Sequence, residues 1–183
     1  MVRPFRPFLL TLAVLAAASA EAGQARAASP AASRVRVLRS WDDTIKVDGQ
    51  DVARRVEIVF DYGRGEARQV EYLPGGQVRQ TLMLEEQPAP NAEEFEEAVA
   101  LVRADASLGR VLRRTRAVPT GGFVLEEAGI AGAACGLRTR CLQILLMAPE
   151  GYGLLRRVVV DLTKQSIAYR SYVPGQWTQG EDR

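Results

Sequence analysis

Asn91-Ala92-Glu93-Glu94-Phe95-Glu96-Glu97-Ala98-Val99-Ala100-Leu101-Val102-Arg103 carries the clearest helical pattern in the chain. Phe95, Ala98, Val99 and Val102 recur at helical spacing and form one apolar stripe reaching to about Ala104. Asn91 suits the position before a first turn, and Glu94, three residues on, completes a box-like start. Four glutamates crowd the opening turns and Arg103 sits in the last, a polarity that complements the helix dipole. The pattern predicts a helix over 91–104 with Phe95, Val99 and Val102 buried and Glu93, Glu96 and Glu97 facing water. Neighbouring carboxylates on a helix fan outward, so they support the dipole and do not converge on a cation.

On either side the period changes to two. Before the helix, Arg34–Leu38 and Thr44–Val47 read as strands, followed by a run in which Val56, Ile58 and Phe60 share a face. Gln69–Leu73 and Val78–Leu84 continue, with turn signals at Asp48-Gly49, Gly63-Arg64-Gly65 and Pro74-Gly75-Gly76. Glu85–Pro90 is a polar linker with two prolines. After the helix, Arg110–Val118, Phe123–Glu127, Cys141–Met147, Leu154–Leu162 and Ser166–Val173 read as further strands, with turns at Pro119–Gly122, Pro149–Gly151 and Thr163–Gln165. The expected fold is therefore α+β, with one main helix packed on curled antiparallel sheet and a β-meander before it. Residues 34–173 form the domain, with the meander over 34–84 and the helix plus sheet over 91–173. About 155 residues suffice to bury roughly 70% of the unfolded surface in one core.

The first residues carry an address. Arg3 and Arg6 precede an apolar run from Phe8 to Ala18, and small-residue sites follow at Ala20, Ala22 and Ala27. This is the grammar of a secretory signal peptide, assigned to 1–27, and the run is too short for a membrane span. Residues 28–33 read as a flexible start and 174–183 as a flexible tail. Cleavage after Ala27 removes three arginines and one glutamate, so 24 basic and 22 acidic residues become 21 of each. A neutral chain makes no electrostatic case for nucleic acid, and no stable membrane anchor is expected after cleavage. The expected location is the periplasm or the exterior.

The chain has no histidine, which excludes Ser-His and Cys-His nucleophiles, His-ligated metals and a His base. Cys135 and Cys141 are too few for a thiolate zinc site, and in an exported chain they are expected to pair. The disulfide closes a short loop and stabilises by about 2 kcal/mol. No metal or cofactor site and no catalytic residues are assigned. Asp42, Asp43, Asp48 and Asp51 lack the spacing of a calcium loop. Ser166 and Lys164 fall in one expected hairpin turn, an unfavourable place for a Ser-Lys nucleophile. Arg110, Arg113, Arg114 and Arg116 form a dense basic run without interleaved aromatics, read as the solvated face of a strand.

The helical stretch 91–103, together with Leu155-Arg156-Arg157-Val158-Val159-Val160-Asp161-Leu162 and Gln165-Ser166-Ile167, resembles the cystatin-like domains that precede the catalytic domain of copper amine oxidases. The resemblance covers about residues 90–173 and implies a helix on curled antiparallel sheet. It implies no activity, because the copper-binding histidines and the large catalytic β-sandwich have no counterpart here. The function expected from the whole sequence is an exported, non-enzymatic binding or accessory module of the bacterial cell envelope, with another envelope or secreted protein as partner. Two other classes stay open: a small periplasmic hydrolase using carboxylates or a Ser-Lys pair, and a carrier of an apolar ligand.

Overall fold

The computed structural model describes residues 34–127, 130, 133–151 and 153–173. The segments 1–27, 28–33 and 174–183 assigned from sequence lie outside the described residues. The order of elements is β1 (Val35–Val47), β2 (Gln50–Asp61), β3 (Glu66–Tyr72), β4 (Val78–Met83), α1 (Ala92–Ala104), α2 (Ala106–Thr115), β5 (Val118–Val124), β6 (Cys141–Met147), β7 (Leu154–Asp161) and β8 (Ser166–Tyr169). The strands make two separate antiparallel sheets, β1-β2-β3-β4 and β5-β6-β7-β8, each in sequence order.

This architecture corrects the expected fold class. The chain is mostly β, with two four-stranded sheets and two short helices between them; it is not one main helix on a single curled, cystatin-like sheet. Two local differences account for much of the change. Arg110–Val118, read as a strand, is largely α2. Asp105 caps that helix by accepting hydrogen bonds from the N–H groups of Ser107 (3.0 Å) and Leu108 (2.9 Å). Leu108, Val111 and Leu112 then face the core at helical spacing, and the arginines of the basic run point outward. The second difference is at Pro119–Gly122, read as a turn. These residues lie within β5, where a bulge between Gly121 and Phe123 absorbs the glycines without reversing the chain. Similarly, the two short strands expected over 34–47 are one continuous β1 with an irregularity between Val37 and Arg39.

α1 begins as its sequence implies. The Glu94 N–H donates to Asn91 Oδ1 (2.9 Å), and the Asn91 N–H donates back to Glu94 Oε2 (3.4 Å). The helix packs against the second sheet. Its Ala98, Val99 and Val102 join Leu108 of α2, Leu142, Ile144 and Leu146 of β6, and Val158 and Val160 of β7 in the main core. The first sheet reaches this core only through its helix-proximal end, with Leu38, Phe60, Tyr62 and Ala67. There the β2–β3 turn abuts the loop before β6. A Cβ on Gly65, whose φ is +66°, would lie 2.1 Å from the Arg138 carbonyl oxygen, so no other residue fits without moving backbone.

The far end of the first sheet has a different character. Beyond the last β2–β3 pair, Arg55 with Tyr72, the β1–β2 hairpin continues as a two-stranded arm to a turn at Asp48-Gly49. Both turn residues have positive φ, as a tight primed hairpin turn requires. The aspartates noted in sequence serve this arm. Asp43 pairs with Arg54 at 2.7 Å and Asp51 with Lys46 at 2.7 Å.

Candidate functional site

The site is a groove bounded by the start of α1, the linker before it and the C-terminal half of β5. Gln87, Pro90, Asn91 and Phe95 form one wall, Gly122 and Phe123 the other, and the space between has a volume of about 700 Å³. It is an open groove and not an enclosed cavity. Phe123 is 60% exposed and Phe95 half-buried, so two aromatic rings offer apolar surface to whatever enters. Phe95 is thus less buried than its place on the helical stripe predicts. Its ring lies across Gly122, where an added Cβ would come within 3.1 Å of Cδ2. That contact, with a φ of +89°, explains why glycine occupies the inner side of the bulge.

Behind the linker wall stands a charge pair that sequence reading did not anticipate. Glu94 and Arg140 are both wholly buried. Arg140 grips the carboxylate with two hydrogen bonds, Nε to Oε1 (2.9 Å) and Nη2 to Oε2 (2.7 Å). Its Nη1 donates to the Pro88 carbonyl (2.8 Å) and to Gln87 Oε1 (3.2 Å). Tyr62, the first residue after β2, donates its hydroxyl to Glu94 Oε1. The Arg140 guanidinium also lies 4.9 Å from the centroid of Phe60. One bidentate pair therefore ties the first sheet, α1, the linker and the strand entry of β6 together. Gln87 adds to this by donating Nε2 to the carbonyls of Leu137 (3.1 Å) and Thr139 (2.9 Å), and its N–H to Glu126 Oε1 (3.3 Å). The groove wall is held by the buried charges behind it.

The buried and half-buried carboxylates Glu97 and Glu71 are committed to cations. Glu97, expected to face water, is half-buried and accepts hydrogen bonds from Arg34, Arg36 (2.7 Å) and Gln165 (2.6 Å). Burial pushes the Glu97 carboxyl up, but these donors outweigh it and hold it below the usual range. On the first sheet, Glu71 is buried between Arg54 (2.8 Å) and Arg79 (2.9 Å), and again the arginines overcome desolvation and hold the acid down. Tyr62 goes the other way: burial, then its bond to Glu94, raise the phenol well above its ordinary value. Glu93 and Glu96 are exposed, as the helical pattern predicts. No protein-family model matches this chain, and no curated protein does.

The disulfide forms a second, smaller cluster. Cys135 and Cys141 are bonded, with Cα atoms 5.7 Å apart, and both are wholly buried against Val159. Glu127 accepts from the Tyr169 hydroxyl (2.8 Å) and the Cys135 N–H (3.3 Å), which fixes the loop ahead of β6. Because Arg140 immediately precedes Cys141, the disulfide anchors the segment from which Arg140 reaches Glu94. For the Ser-Lys pair considered from sequence, the contact found for the lysine is an ion pair and not a hydrogen bond to the serine. Lys164 Nζ pairs with Asp161 Oδ2 at 3.1 Å, while Ser166 opens β8 opposite Asp161 in the ladder. Among the described residues, no three metal-ligating side chains converge.

Glu94 had a signal in the sequence. It lies four residues before Ala98 and eight before Val102, on the buried stripe itself. Its partner Arg140 had none, since nothing local distinguishes it from Arg138 two residues earlier.

Proposed function

We propose that the chain is an exported, non-enzymatic binding module of the bacterial cell envelope, and that its partner is another envelope or secreted protein. The observation that carries the reading is the groove beside α1: open along its length, flanked by two phenylalanine rings, and braced from behind by Arg140 and Glu94. A preformed apolar groove lowers the ordering cost of recognition. Burial in ion pairs speaks against a hydrolase, because general acid chemistry wants a raised carboxyl whereas Glu97 and Glu71 are held low by arginines. An open groove shields an apolar carrier's cargo poorly from water. Export is supported by the charged start and short apolar run of residues 1–27 and by the disulfide. No helix among the described residues is long and apolar enough to cross a membrane.

The test is site-directed photocrosslinking in the cell envelope. A benzophenone side chain at position 123 should capture a protein that the same group at position 48, on the tip of the β1–β2 hairpin, does not. Equal capture at both positions, or none at 123, would contradict the reading. The intact mass of the exported chain should begin between residues 21 and 30, and a retained Met1 would remove the case for signal cleavage.

A further inference from the structure

We infer that the groove receives an extended polypeptide segment that pairs along the free edge of β5, sets a bulky apolar side chain between Phe95 and Phe123, and carries basic residues at its flanks. This rests on the reading of the groove as the binding site and gives its partner a chemistry.

The first support is the edge itself. β5 ends its sheet, with β6 along one side and no described strand along the other. Unpaired N–H and C=O groups on such an edge are a template for another strand. Pro119 has no N–H to offer, which confines pairing to the part of β5 from Thr120 to Val124. Gly121 to Val124 line the groove. Gly121 is exposed and carries no side chain, so a second chain can approach its backbone, while Gly122 lies buried under the Phe95 ring.

The second support is charge. In the two stretches that build the walls, 85–97 and 118–127, every charged residue is a glutamate. Glu94 is sealed against Arg140, Glu127 is buried beside Tyr169, and Glu97 is taken up by Arg34 and Arg36. Glu93 lies 3.7 Å from Arg36. Glu85, Glu86, Glu96 and Glu126 have no ion-pair partner among the described residues; they adjoin the lining residues in sequence, and Glu126 accepts from the N–H of Gln87 in the groove wall. A fatty acid or nucleotide would bring its own negative charge to this rim. A peptide with an apolar centre and cationic flanks complements it.

The experiment uses the full chain and a labelled decapeptide of alternating valine and threonine, with a central leucine and an arginine at each end. Fluorescence anisotropy should show saturable binding. It should weaken about tenfold or more with Phe123→Asp, with peptide N-methylated at alternate amides, and with glutamate replacing the terminal arginines. Raising salt from about 0.05 to about 0.5 M should weaken it as well. Because Phe123 is mostly exposed, the variant should melt like the parent, and the peptide-side changes leave the protein untouched. Equal affinity for the N-methylated peptide would overturn strand pairing. Displacement by a fatty acid, or a dimer of the free chain that Phe123→Asp abolishes, would give the groove another occupant and overturn the inference. If the peptide fails while position 123 still captures an envelope protein, only this inference falls. Failure of both removes the binding-module reading too.

Discussion

The two sheets share a strand count, an antiparallel sense and a sequence-ordered topology, yet the helices cover the second, and in the first burial is confined to the inner strands β2 and β3 and to Leu38. In the second sheet, β6 buries Cys141, Leu142, Ile144 and Leu146, and β7 buries Val158, Val159, Val160 and Asp161. In the first, all six residues of β4 are exposed, and Leu38 is the one buried residue of β1. The difference follows from where the helices went. α1 lies on the second sheet and supplies it with a partner layer. The first sheet joins that core through Leu38, Phe60, Tyr62 and Ala67; Val56, Val59 and Val70 are buried outside it, and the outer arm of the β1–β2 hairpin carries ion pairs such as Arg54 with Asp43. Strand count and pairing say little about stability without a second layer to bury against.

The largest losses of stability should come from the junction between the sheets and the smallest from the exposed side of α1. Arg140→Ala should have the largest effect, destabilising by about 3–5 kcal/mol, since it strands a buried Glu94 carboxylate beside Tyr62. Denaturant melts measure it, and a near-neutral result would mean that the buried pair does not hold the junction together. Replacing Cys135 and Cys141 together with serine should cost about 2 kcal/mol. That loss should fall on the second sheet and the linker, read as faster amide exchange in 87–91 and 134–141 with little change in β1. Phe95→Ala should cost about 1–2 kcal/mol, because the ring is only half-buried. The helical stripe alone would set that loss at about 3–5 kcal/mol. Glu96→Gln, on the exposed side of the same helix, should cost well under 1 kcal/mol.

Acid should act through the committed carboxylates. Glu97, Glu71 and Asp105 all have folded-state values below the ordinary range, each because arginine contacts or backbone N–H bonds outweigh the opposing push of burial. A depressed folded value means that the stabilisation is fully present above the unfolded value, about pH 4. It is lost as pH falls through the folded value. Melting temperature should therefore hold level from about pH 7 to about pH 5 and drop below about pH 4. Glu97→Gln should flatten that drop. An unchanged acid slope would show that the arginine contacts of Glu97 contribute nothing to folding.

The sequence made α1 and its cap legible, because both are local: Asn91 and Glu94 lie three residues apart, and the stripe repeats within one element. Most hairpins were legible for the same reason, through Asp48-Gly49, Pro74-Gly75-Gly76 and Thr163–Gln165. α2 was obscured by a run in which Arg110, Arg113, Arg114 and Arg116 mask the spacing of Leu108, Val111 and Leu112. The division into two sheets depends on β4 and β5 not pairing with each other, and no local pattern encodes that. The groove was illegible in a stronger sense. Its walls lie about thirty residues apart in sequence, and its brace joins Glu94 to Arg140 across 46 residues. Phe123 read as the start of a strand, and only its place at a bulge beside Phe95 makes it part of a site.

Each sheet ends in unpaired edges, but the groove lies along that of β5. Amide hydrogen exchange on the full chain, with and without the arginine-flanked decapeptide, tests that distinction most directly. Binding should slow exchange within 120–124 and 87–91 and leave the outer strands β1 and β4 unchanged. Protection along β1 or β4, or saturating peptide with no protection anywhere in β5, would contradict it.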